Sequence, residues 1–226
     1  SYKEIYDNGF ADTFIILGPN HTGMGSGVAT VTDGKWQTPL GEIKIDKELA
    51  KQIHTGIIDS DKIAHRQEHS IEVQLPFLRY LSENKKFKFV PISMSMQDID
   101  TNKEVGKIIT DAIKETNKKI VIIASSDFSH VGFNYMTMPP EGKNVDEYAK
   151  IQDKKAIEEI LKINPKKLVE TVIKENISMC GYGPVSSMIF AAKKLDAKKA
   201  ELLKYGTSYE IQPGNSCVGY AAISLY

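Results

Sequence analysis

Five consecutive apolar residues, Ile120, Val121, Ile122, Ile123 and Ala124, form the strongest structural signal in the chain. Four of them are β-branched, and none is polar enough to prefer water. Such a run suits a strand covered on both faces, as in a parallel sheet flanked by helices. Shorter runs of the same kind lie at 14–17, stopped by Gly18-Pro19, and at 87–92. Residues 28–32 and 41–45 read as strands on either side of a turn at Asp33-Gly34, and 200–205 and 217–225 as closing strands. Between them lie helical patterns. Asp46 is placed to cap a helix reaching His54. In 70–81, Ile71, Leu75 and Leu78 share one face, and Pro76 must bend the helix or delay its start. Val105, Ile108, Ile109 and Ile113 repeat at helical spacing in 101–115. Further helices are expected over 149–163, over 165–174, and from about Pro184 to Lys194. The alternation predicts an α/β fold: one layered domain over residues 1–226, with a central, mostly parallel sheet and helices on both faces. Chemistry in such a sheet gathers just past the carboxyl ends of the strands.

Composition narrows the function classes. Lys+Arg and Asp+Glu are both 29, so the net charge is zero and no general attraction to nucleic acid or anionic membrane is expected. Only Arg66 and Arg79 are arginines, which weakens any case for a bidentate phosphate clamp. No apolar run approaches the roughly 20 residues of a membrane helix. The opening residues read as no signal peptide, and two cysteines make no disulfide scaffold, so a reducing cytoplasm is the expected setting.

Four polar clusters adjoin strand ends or helix starts. In Gly18-Pro19-Asn20-His21-Thr22-Gly23, His21 stands directly after a strand, as a metal ligand, a general base or a turn residue bonded to its own loop. No Lys-Ser/Thr pair follows these glycines, which argues against a phosphate cradle. In His65-Arg66-Gln67-Glu68-His69 the spacing matches the H-x-x-E-H pattern of inverzincin proteases. That reading needs His65 and His69 on one helical face, and an exposed loop position for His65 is favoured instead. His69 and Glu72, three apart, can form a histidine–carboxylate pair. In Ser125-Ser126-Asp127-Phe128-Ser129-His130, Asp127 can orient His130 as a general acid or base; helix capping is the simpler role for Asp127. In Met179-Cys180-Gly181-Tyr182-Gly183-Pro184, the thiol precedes a helix N-terminus, where the dipole favours thiolate. Cys217 reads as a small buried hydrophobe. A Cys180–Cys217 disulfide stays open, although a cytosolic setting opposes it.

Taken together, residues 14–23 (FIILGPNHTG), 38–46 (TPLGEIKID), 68–78 (EHSIEVQLPFL), 125–132 (SSDFSHVG), 180–184 (CGYGP) and 218–225 (VGYAAISL) resemble the Memo family, also called AmmeMemoRadiSam system protein B. That resemblance implies a fold like that of class III extradiol ring-cleaving dioxygenases. It also implies a metal pocket of two His and one Cys, in which His21 and Cys180 match two ligands and His69, Asp127 and His130 line the pocket. The family's first ligand His, in a P-H-A-G-Y segment on an N-terminal strand, has no counterpart here. Residues 1–5 match family sequence lying shortly after that strand. The implied function is iron- or copper-dependent redox chemistry on an unknown substrate. The alternative is a non-catalytic module binding a peptide or small molecule in the same pocket. A radical-SAM protein and an AMMECR-type protein are the implied pathway partners.

Overall fold

The computed structural model describes residues 2–83 and 85–226, so Ser1, the first residue of the 1–5 match, lies outside it. In chain order the elements are α1 (Tyr2–Asp7), β1 (Thr13–Pro19), β2 (Val28–Thr30), β3 (Lys35–Thr38), β4 (Gly41–Ile45), α2 (Lys47–Ile53), β5 (Asp59–Ser60), α3 (Leu75–Leu81), β6 (Lys88–Met94), α4 (Ile99–Lys114), β7 (Ile120–Ala124), β8 (His130–Gly132), α5 (Val145–Leu161), α6 (Pro165–Lys174), α7 (Tyr182–Lys194), β9 (Ala200–Thr207) and β10 (Ser216–Leu225). The larger sheet runs β3-β4-β6-β1-β7, with β2 beside β6 and β5 beside β2. Its centre is parallel: β1 pairs with β6 and with β7, and β4 with β6. β1 is buried along its whole length, as its unbroken apolar pattern requires. α4 and α7 pack together below the sheet and α3 lies on β4. This is the expected mostly parallel sheet with helices around it.

Three expectations change in detail. The turn at Asp33-Gly34 leads into β3, which pairs antiparallel with β4; β2 instead lies antiparallel on β6. β3 is short and only one of its four residues is buried, so it carries little apolar signal. The closing strands β9 and β10 form a separate antiparallel sheet with β8. β7 is an edge strand of the larger sheet and all five of its residues are half-buried, although its composition suits cover on both faces.

Local signals explain the helix boundaries. The Asp46 side chain accepts from the Leu49 amide at the start of α2, and it also meets Lys118 and Thr13, so a cap residue ties α2 to the sheet. Pro76 sits in the first turn of α3 and delays the helix to Leu75, after a 3₁₀ turn over Glu72–Gln74. Asn144 and Glu147 form a reciprocal capping box at α5. Among the described residues no helix is long and apolar enough to cross a membrane.

Candidate metal and proton-transfer site

Register brings the chemistry to one rim. Leu17 lies beside Ala124, and Pro19 beside Met94, so β1, β7 and β6 end together. His21 follows β1 by two residues, and Asp127 follows β7 by three.

The first group is built on a buried carboxylate. The Glu68 side chain is 2% exposed and receives the His21 backbone N–H, the His69 and Ser70 amides (both 2.8 Å), and His21 Nδ1 at 3.0 Å. Ser70 Oγ donates to Pro19 O at 2.9 Å, which fixes this turn to the end of β1. Gly18 makes that approach possible, because a Cβ there would lie 2.3 Å from Ser70 Oγ. Burial works to raise the Glu68 pKa, but the bonds from His21 and Ser70 prevail and bring it down to about 2. An ionised Glu68 accepts a hydrogen bond from His21 Nδ1–H and leaves His21 Nε2 free as a ligand atom. The His69 ring stacks on His21, with centroids 4.8 Å apart and planes 15° apart. Donor atoms of His21, Glu68 and His69 lie within 4.8 Å of one another. The carboxylate that meets His69 is therefore Glu68, not Glu72.

The second group joins Cys180, Asp127 and His130. Cys180 Sγ accepts the Asp127 amide at 3.3 Å and lies 3.9 Å from Ser126 Oγ. Gln97, just past β6, donates through Nε2 to Cys180 O and accepts the Gly183 amide through Oε1. It thereby holds the start of α7 against the rim. Burial pushes the Cys180 thiol up, against the expectation that the helix dipole would yield thiolate. The Cys180 sulfur is half-buried, and that desolvation outweighs its hydrogen bonds. His130 donates Nδ1–H to Ser178 O at 3.0 Å, and its Nε2 faces Asp127 Oδ2 at 3.7 Å. With acceptors on both sides, chiefly Asp127, the imidazole keeps its proton to higher pH than an ordinary histidine, although burial opposes this. The two groups are linked by Gln74 Nε2, which donates to Ser125 Oγ at 2.9 Å. Cys180 is not a member of the three-residue cluster around Glu68.

His65 belongs to neither group. It ends a 3₁₀ turn, its ring packs edge-on to Trp36, and both ring nitrogens are buried without a partner among the described residues. It is therefore no exposed loop residue, and it does not share a helical face with His69. Burial pushes its pKa from 6.5 down to about 4. The unfolded chain thus takes up this proton first, and stability falls as pH drops from about 6.5 towards 4. The loss approaches about 3 kcal/mol at the acid end of that window. Urea unfolding between pH 7 and 4 should show this slope, and His65→Phe should flatten it. An equal slope in the variant would remove His65 as its source.

Sequence reading missed Glu68 as the organising residue. Glu68 was marked only as part of the H-x-x-E-H pattern and of the 68–78 segment, and neither indicates its bonds to His21.

Residues 1–224 match the family model described as Memo-like protein. A MEMO1 family protein of Methanopyrus kandleri is 44% identical over 226 residues, covering 99% of this chain and 75% of that protein. One from Methanococcus vannielii is 47% identical over 231 residues, covering 100% and 77%. The crystal structure of JW3007, an uncharacterized protein from Escherichia coli K12, superposes with a TM-score of 0.58 at 13% identity, over 96% of this chain and 90% of that one, a likeness of fold.

Proposed function

This chain belongs to the Memo family, and we propose that the rim of its sheet holds an iron or copper ion for redox chemistry on a small molecule. The observation that carries this reading is the His21–Glu68 pair. A buried carboxylate that fixes one ring nitrogen and presents the other is the usual support of a metal-bound imidazole. The donor types suit such an ion: His21 and His69, at the Glu68 cluster, offer imidazole nitrogen, and Cys180, outside that cluster on the same rim, would add sulfur, a mixture suited to iron or copper rather than magnesium or calcium. The ion would supply Lewis acidity and one-electron chemistry when bound. Glu68 orients His21. When protonated, His130 carries a proton at Nε2, on the side of Asp127, from which it could be delivered to a group bound at the rim. Cys180, whose thiol burial pushes up, would give up its proton on binding such an ion.

A second reading, a module for a peptide or small molecule, is favoured by exposed apolar side chains in the turn that follows β8. Phe133 is 77% exposed and Met136 93%.

Anaerobic titration with ferrous iron, and separately with copper, tests the first reading. One equivalent is expected to bind. His21→Ala and Cys180→Ser should each weaken it by about a hundredfold or more, beyond the effect of losing a supporting group, while His65→Ala leaves it unchanged. Peptide binding by metal-free protein that survives Cys180→Ser, without stoichiometric metal, would favour the module.

A further inference from the structure

A concentration of positive charge lies at the other end of the larger sheet. Thr13 opens β1 and Pro19 closes it, about 20 Å away at about 3.3 Å per residue, so a cleft at Thr13 is remote from the rim. A cleft of about 710 Å³ lies there, between the end of α3 and the starts of β1 and β6. The buried Ile43 and Phe87 give it an apolar lining. Six cations surround it: Lys44 on β4, Arg79 on α3, Lys85 and Lys86 in the connection that follows, Lys88 on β6 and Lys118 ahead of β7. Its acids are already engaged. Glu42 pairs with Lys35 at 2.6 Å, Asp46 with Lys118 at 2.9 Å, and Asp12 accepts the Lys119 amide at 2.8 Å. Lys44, Arg79, Lys85, Lys86 and Lys88 thus converge with no carboxylate partner among the described residues. The sheet register makes this costly. Lys35, Lys44 and Lys88 stand directly opposite one another on β3, β4 and β6. Like charges opposed across strands repel, and only Lys35 has an acid to relieve it. Arg79 adds a second cost. Its Nη1 donates to Ser82 Oγ at 2.9 Å, which holds the guanidinium in place, yet its Nε is buried with no partner among the described residues. A buried donor without an acceptor is unfavourable.

We propose that this cleft binds a small polyanion carrying two or more phosphate groups. Such a ligand neutralises the opposed lysines and offers acceptors to the guanidinium, so it answers both costs at once. Lysine binds phosphate as a point charge, and several lysines around one cavity suit clustered phosphates better than a single bidentate group. The volume is that of a small-molecule site, about 300–1,000 Å³. The cations converge on a concavity instead of running along a stripe, and the net charge of the chain is zero, so an extended nucleic-acid backbone fits less well. The site stands whether or not the rim holds a metal.

Isothermal titration of the full-length protein with inorganic tripolyphosphate at low salt tests it, in EDTA so that no rim ion contributes. One equivalent is expected to bind, and inorganic phosphate at least about tenfold more weakly, since it meets fewer of the cations. Lys44→Ala/Lys88→Ala should weaken tripolyphosphate binding by about a hundredfold, about tenfold for each charge-assisted contact. It also removes an opposed pair, so it should withstand urea at least as well as the parent. Lys85→Ala/Lys86→Ala, at exposed positions outside the strand ladders, should weaken binding similarly and keeps the test independent of the sheet. Lys103→Ala/Lys166→Ala removes the same charge from exposed positions on α4 and α6 and should leave the affinity within about twofold. No binding at millimolar tripolyphosphate would overturn the proposal. So would parent affinity in both cleft variants, equal weakening in the α4/α6 variant, or equal affinity for phosphate and tripolyphosphate. Duplex DNA binding more tightly than tripolyphosphate, and lost in the cleft variants, would assign the cleft to a nucleic-acid backbone and overturn it as well.

Discussion

Replacing Glu68 by alanine should cost about 3–5 kcal/mol, the range for removing one member of a buried, hydrogen-bonded ionic group. The carboxylate satisfies three backbone N–H groups, from His21, His69 and Ser70, besides the His21 ring. Each orphaned donor costs about 1–3 kcal/mol where water cannot reach it. Glu68 is 2% exposed, whereas the His21 side chain is 38% exposed, so water relieves the ring more readily than the amides. Glu68→Gln keeps one carbonyl acceptor and should lose about half as much. Urea unfolding at pH 7 separates the two. The loss also has a pH signature. Glu68 titrates at about 2 in the folded chain and at 4.5 ordinarily. Its contribution is therefore complete above pH 4.5 and disappears as pH falls towards 2. Glu68→Gln removes that slope. An alanine variant within about 0.5 kcal/mol of the parent, as for ordinary surface changes, would mean that the turn does not need its carboxylate. On the proposed metal reading the same variant weakens ion binding by about 10–100-fold while keeping one equivalent.

Much of this architecture was legible because it rests on short-range physics. Asp46 and Pro76 mark helix starts by their own chemistry, and the apolar run of β1 reads as buried because it is. Past the strands, His21, Asp127 and His130 were legible by position, since parallel strands deliver the residues after their carboxyl ends to one rim. The features that escaped were set by partners distant in sequence. Glu68 stands in a local motif but reaches back 47 residues to His21, and nothing local indicates that partner. The helix start at Cys180 was read correctly, but the state of its thiol depends on burial against the loop at Ser126 and Asp127, and burial outweighs the dipole. β7 shows the opposite case. Its composition implies two covered faces, and the described residues leave it at an edge.

Gly219→Ala should destabilise the chain by about 3–5 kcal/mol, combining overpacking with an orphaned amide, although it adds only a methyl group. A Cβ at 219 would stand 1.8 Å from Asp153 Oδ2 and 3.3 Å from Phe128 Cβ. Asp153 cannot easily yield. It is fully buried, its Oδ1 accepts the Ser129 amide at 2.8 Å, and its Oδ2 accepts Tyr205 Oη–H at 2.7 Å. Displacing it breaks both bonds and strains the Phe128–Gly219 junction, from which β8 and His130 continue. Asp153→Asn keeps an acceptor for Ser129 and should cost about 1 kcal/mol, the worth of one ordinary hydrogen bond. Burial raises the Asp153 pKa, and the bonds from Ser129 and Tyr205 only partly offset this. The folded chain thus holds this proton longer than the unfolded one, and stability declines as pH rises from 3.8 through the folded value. Asp153→Asn should remove that decline. The functional signature is separate from stability: in Gly219→Ala, kept folded at low temperature, the His130 ring should move relative to Asp127 and Ser178. Ring-proton titration by NMR would then show a pKa closer to the ordinary 6.5 than in the parent. An unshifted titration in a destabilised variant would confine Gly219 and Asp153 to holding the sheets together, and would leave His130 set by Asp127 and Ser178 alone.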